Sequence, residues 1–175
     1  MKSSRIFLGA TLLVLLVVVG GAVGAHTHES QRPFTLAQHA THYDPAGKAT
    51  PVYVSMRRSN AAGGWMEVQQ YSDGHTRVTR SEPDRGVFFQ QGEKDKRIGE
   101  AQAATTTETD LRKSPSYLRD EVVLGSVRVG VVSVKSGESE SELWCAYDFD
   151  GTVVKIVRRN SDGSYFVLEP DALTE

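Results

Sequence analysis

Four of the five histidines, His26, His28, His39 and His42, lie between residues 26 and 42, and the run that leads into them is GAVGAHTH. If the chain is cut after Ala25, His28 becomes the third residue of the mature protein. A free amine, two backbone amides and a third-position imidazole enclose Cu(II) or Ni(II) in the square-planar geometry those ions favour. His26 offers a second mode through its own amine and ring. The competing reading is a solvated arm in which the histidines are fortuitous. His39 and His42, at i and i+3, would share one face of a helix.

Cys145 is the only cysteine, so no disulfide forms within the chain. On a strand from Glu142 to Phe149 it shares a face with Leu143, Tyr147 and Phe149. A thiol among such neighbours is a small hydrophobe and not an activated thiolate. Asp148, Asp150 and Glu169 could serve as paired carboxylates or calcium ligands. Asp150 is also explained by an Asp-Gly turn and Asp148 by the polar face of its strand, and the segment lacks the terminal Glu of a calcium loop. The sequence contains no Gly-x-Ser-x-Gly, His-Glu-x-x-His, P-loop or dinucleotide fingerprint, so no known catalytic motif points to an enzyme.

What must position these residues begins with an address. Lys2 and Arg5 precede an uncharged run from Ile6 to Val19, followed by small residues with Val23 and Ala25 at the positions a signal peptidase reads. Residues 1–25 are therefore expected to be a signal peptide; kept uncut, the same run is long enough for a membrane anchor. In both cases the rest lies outside the cytoplasm, periplasmic or secreted. Loss of Lys2 and Arg5 lowers the basic count from 20 to 18 against 22 acidic residues, a net charge of -4. That balance opposes general nucleic-acid binding, which depends on many phosphate-neutralising cations.

Residues 26–50, with Pro33 and Pro45, read as a polar arm with one short helix at Thr35 to Thr41. Residues 51–175 then carry short runs rich in Val, Tyr, Phe, Trp and Thr, the types that suit a pleated, half-buried surface. Asp-Gly separates them at Asp73-Gly74, Asp150-Gly151 and Asp162-Gly163, a strong hairpin signal because tight turns between twisted strands need positive φ. The fold class is thus mainly β: a curved antiparallel meander interrupted at 93–121 by a helical excursion covering one face. Ser114-Pro115 marks a helix start there, and Ala101 to Leu111 a second short helix.

With WMEVQQYSDGHTRVTR and LWCAYDFDGTVVKIVRRNSDGSYFVLEP in place, the layout from Pro51 to Pro170 resembles exported bacterial half-barrel proteins, among them the lipoprotein-carrier family and small exported proteins without known activity. The resemblance implies a curved sheet covered by helices, with an acyl chain or hydrophobic partner on its concave face. No motif specific to the carrier family is matched, so no binding residue is carried over. From the residues themselves, Trp65, Phe88, Phe89, Trp144, Tyr147, Tyr165 and Phe166 are the groove candidates, against a role as plain core. Phe88 and Phe89 point to opposite faces of a regular strand, as do Tyr165 and Phe166. The expected function is non-enzymatic binding of a lipid or other hydrophobic ligand. The alternative is an envelope protein that presents a sheet edge to a protein partner.

Overall fold

The computed structural model describes residues 32–82, 85–91, 94–99 and 107–175. The leader, His26 and His28 lie outside them. Eleven strands form one sheet in which all neighbours are antiparallel. They are β1 (Thr35–Tyr43), β2 (Ala49–Ser59), β3 (Trp65–Tyr71), β4 (Thr76–Glu82), β5 (Gly86–Gln91), β6 (Lys94–Gly99), β7 (Tyr117–Val123), β8 (Val127–Ser136), β9 (Ser139–Ala146), β10 (Thr152–Arg159) and β11 (Tyr165–Thr174). The sheet runs β6-β5-β4-β3-β2-β1-β11-β10-β9-β8-β7. Two meanders are thus joined where the first strand pairs with the last.

Four hairpins use one loop. In Asp44–Lys48, Asn60–Gly64, Tyr71–His75 and Asn160–Ser164 the first residue's N–H donates to the carbonyl of the fifth, and the fourth, a glycine, donates back to the first. Those glycines, Gly47, Gly63, Gly74 and Gly163, have φ of +81° to +90°. Asp73 and Asp162 do not adopt positive φ. Their carboxylates instead accept the N–H two residues on, from His75 and Ser164, which is the Asx-turn use of aspartate. Of the three Asp-Gly pairs, Asp150-Gly151 alone has both residues at positive φ, +53° and +72°.

Several expectations are corrected. Thr35–Tyr43 is a central strand and not a helix, because Leu36, Gln38 and Ala40 bury every second residue; a lone polar Gln38 is tolerated since its Nε2 donates to the Val154 carbonyl at 2.7 Å. His39 and His42 therefore face opposite sides. Among its described residues the 93–121 excursion contains β6, the start of β7 and a six-residue helix, α1 (Glu108–Lys113). Ser114 ends that helix instead of starting one, its N–H donating to the Leu111 carbonyl, and Tyr117 to Arg119 is strand. The helix start is Thr107, whose side chain and that of Asp110 form a capping box. Residues 101–106 of the second expected helix lie outside the described residues. Finally, β9 stops at Ala146 and Tyr147–Phe149 form a 3-10 turn, which removes Asp148 and Phe149 from the strand.

α1 anchors through buried Leu111 on Val132, Leu143 and Cys145, so its side of the sheet can be called the helix side. Register carries one row across seven strands on that side: Val132, Leu143, Ile156, Leu168, Ala40, Tyr53 and Tyr71. A separate cluster of Phe34, Leu36, Val129, Val131, Trp144, Ala146 and Val154 gathers one end of the strands; each such burial contributes about 1.5–3 kcal/mol for the larger side chains.

Candidate functional site

Beyond the apolar row, the helix side of β2–β4 becomes polar while staying buried. Ser55, Glu67, Gln69, Thr79 and Ser81 are each 6–8% exposed. The opposite side of the same strands carries Val54, Met56 and Met66 at 54%, 45% and 45%. Among the described residues no helix covers the polar group, since α1 packs on β7, β8 and β9. Side chains converge and shield one another on the inside of a curve, so this burial marks the helix side as the inner side of the half-barrel.

The polar residues form a network. Arg57 donates from Nε and Nη2 to Glu67 Oε2 at 3.1 and 2.6 Å, Gln69 Nε2 donates to Glu67 Oε1 at 2.8 Å, and the Tyr71 hydroxyl donates to Gln69 Oε1 at 3.1 Å. A buried carboxylate is tolerated only with such pairing. Aromatic rings frame it: Arg57 lies 4.7 Å from the Trp65 ring centre and Arg77 4.8 Å from that of Phe89. Tyr53 packs against Tyr71 and Phe166 at 5.2 and 6.4 Å. Burial pushes the Tyr53 hydroxyl far above its ordinary range, with Glu67 and Tyr71 adding to the shift and Arg57 and Arg77 opposing it.

Register divides the seven aromatic candidates. Trp65, Phe89 and Phe166 lie on the helix side, as does Tyr147, whose hydroxyl would meet a Cβ placed on Gly130 at 2.7 Å. Phe88, Trp144 and Tyr165 lie on the other side. Phe88 sits under Arg80 and Arg85. Trp144 is 5% exposed between Lys155 and Arg119, and its indole donates to Glu121, which holds that carboxyl below its ordinary range. Tyr165 stacks on Tyr43 at 4.4 Å. The seven therefore do not line one groove. The residues that sequence reasoning missed, Tyr53, Ser55, Arg57, Glu67, Gln69, Tyr71 and Arg77, alternate with Val and Met and so read as a solvated face.

Around Tyr147 a second cluster is internally neutral. Its hydroxyl bonds Asp120, Arg112 pairs with Asp120 and Glu108 at 2.6 and 2.9 Å, and Arg128 pairs with Glu108 at 2.7 Å. It borders an open depression of about 290 Å³; another of that size lies by Arg159 and Tyr165. Cys145 is buried and free, and burial alone raises its thiol to about 11, which is no nucleophile. Glu169 pairs with Lys155 on β10 at 3.3 Å, while His39 bonds Asp171 at 2.7 Å. Asp150 lies in the β9–β10 turn, apart from the β11 position of Glu169. Among the described residues no three His, Cys, Asp or Glu side chains are placed to hold a metal ion, and no helix is long and apolar enough to cross a membrane.

With this geometry in view, comparison with solved structures finds similar layouts. A LolA superfamily protein from Nitrosomonas europaea superposes with a TM-score of 0.43 at 11% identity, over 82% of this chain and 86% of its own. MucB in complex with MucA gives 0.41 at 15%, over 80% of this chain and 50% of its own. PNGF-II gives 0.49 at 15%, over 81% of this chain but 27% of its own. No protein-family profile and no curated protein matches the sequence. The fold stands on the sheet itself: a curved antiparallel half-barrel with one short α-helix among the described residues.

Proposed function

We propose that this protein is an exported binding module without catalytic chemistry, which takes a hydrophobic or amphipathic ligand on the helix side of its sheet. The observation that carries the reading is the unbroken row from Val132 to Tyr71, which among the described residues α1 caps at its β7–β9 end. Trp65, Phe89 and Phe166 extend the aromatic surface on that side, and a concave, largely apolar surface with a few convergent polar groups is the usual form of a small-molecule site. Export rests on the leader. The test is native mass spectrometry of the mature protein purified from a bacterial host, together with titration of an environment-sensitive fatty-acid probe. Co-purified lipid and saturable uptake, weakened in Phe166→Ala, are expected. Lipid-free protein that takes up no probe overturns the reading.

A second reading, an envelope protein that binds a partner through a sheet edge, is favoured by β7. This edge strand and its turn expose Leu118, Val122 and Leu124 at 47%, 59% and 40%, and an apolar edge invites another strand. Loss of a partner from envelope pull-downs in Leu118→Lys/Val122→Lys supports it; an unchanged set of partners removes it.

A further inference from the structure

We propose that the ligand of the helix side carries an anionic oxygen group, carboxylate or phosphate, and that Arg77 is the residue that holds it. The inference rests on the binding-module reading and names the chemical class of its ligand. Ser55, Gln69 and Arg77 are direct cross-strand neighbours on β2, β3 and β4. Gln69 already donates to Glu67 and accepts from Tyr71. Ser55 Oγ, on a residue 6% exposed, and Arg77 Nε have no hydrogen-bond partner, a state that buried polar atoms rarely hold without reason.

Charge points the same way. Arg57 is neutralised by Glu67 at 2.6 Å, whereas among the described residues no carboxylate pairs with Arg77. Its guanidinium carbon lies over the Phe89 ring, 4.8 Å from the centroid, so the ring restrains the fork before any ligand arrives. Guanidinium forks match carboxylate and phosphate oxygens with paired hydrogen bonds. The Ser55 hydroxyl offers a further bond from two strands away, and Tyr53, Tyr71 and Phe166 give an uncharged tail an apolar bed. Arg158, on the same side beside Phe166, also has an unbonded Nε; it lacks both the stacked ring and the unpartnered hydroxyl, and it serves as the comparator.

The experiment titrates lauric acid, dodecyl phosphate and dodecanol into the mature protein by calorimetry. Both anions should bind about tenfold or more tightly than the alcohol, the worth of a charge-assisted hydrogen bond. Arg77→Gln should reduce the anions to the alcohol's affinity and leave the alcohol unchanged, with Arg77→Lys in between. The anion that loses more names the source, carboxylate for a free fatty acid and phosphate for a lipid headgroup. Equal binding of acid, phosphate and alcohol overturns the inference while the binding module stands. So does an anion preference that survives Arg77→Gln or that vanishes only in Arg158→Gln. If none of the three binds, the proposed function itself fails.

Discussion

Replacing Glu67 with alanine tests whether the inner face of β2–β4 is as dry as its burial implies. The change removes three hydrogen bonds at once, two from Arg57 and one from Gln69, and strands a cation that has no other carboxylate on its strand face. Removing one partner of a fully buried pair costs about 3–5 kcal/mol. Glu67 is 9% exposed in its side chain but Arg57 is 25% exposed, so water recovers part of the guanidinium's loss and the expected cost falls to about 2–3 kcal/mol. Urea unfolding followed by tryptophan fluorescence reads it well, because Trp65 lies against Arg57. With a slope of about 2 kcal/mol per molar urea, the midpoint should drop by about 1 M. The paired change Arg57→Met/Glu67→Leu should restore most of the loss, since an apolar pair of similar volume leaves no charge behind. A midpoint in Glu67→Ala within about 0.25 M of the wild type, or a double variant no better than the single, would refute a shielded face and with it the inner side assigned here.

Cys145 should label slowly with a thiol reagent in the native protein and rapidly after denaturation. Because its folded value is raised from 9.0 to about 11, its contribution is complete below pH 9.0 and is lost as pH rises towards about 11, a decline of about 2–3 kcal/mol that Cys145→Ala should remove from the alkaline unfolding curve. Gly130→Ala should lower the thermal midpoint more than Gly74→Ala: the new methyl meets the Tyr147 hydroxyl at 2.7 Å and displaces it from Asp120, while at Gly74 nothing lies within 4 Å and only the φ of +90° resists, at about 1 kcal/mol; equal midpoints would mean that the ring moves freely. With amino-terminal sequencing showing His26 as the first residue, Cu(II) binding should persist in denaturant and vanish in His28→Ala, and a mature chain that starts elsewhere ends that prediction.

Hairpins were legible in the sequence wherever Asp-Gly stood between β-branched and aromatic runs, as at Ser72 to His75 and Ser161 to Ser164. The same loop at Asp44–Lys48 and Asn60–Gly64 was hidden, because its requirement is one glycine in fourth position and not the Asp-Gly pair. β1 was hidden for a different reason. Its buried face is Leu36, Gln38 and Ala40, too small and too polar to look like a core, and Gln38 is acceptable there only through a carbonyl on distant β10. The same tertiary effect concealed the candidate site: on β2 and β3 the polar alternate residues turn inward and Val54, Met56 and Met66 turn outward, an inversion that no local pattern announces. Ser114-Pro115 misled because a proline after a serine suits a helix start and a helix stop alike, and the Thr107–Asp110 box settles which.

Pairing β1 with β11 puts the two ends of the described chain side by side, Thr35 opposite Thr174 and Arg32 bonded to Glu175 at 3.1 Å. The outermost strands, β6 and β7, come instead from the middle of the sequence. Shortening most sheets by their final strand trims a border; here it would part a six-stranded from a four-stranded piece and bare two fresh inward borders at once. Conversely, a circular permutant that links residue 175 to residue 32 and opens the chain between β6 and β7 would keep every strand pair. Folding of the intact protein must also wait for the final strand to reach its central slot, so contacts far apart in sequence set the pace, and until then each meander stands as a separate, adhesive half.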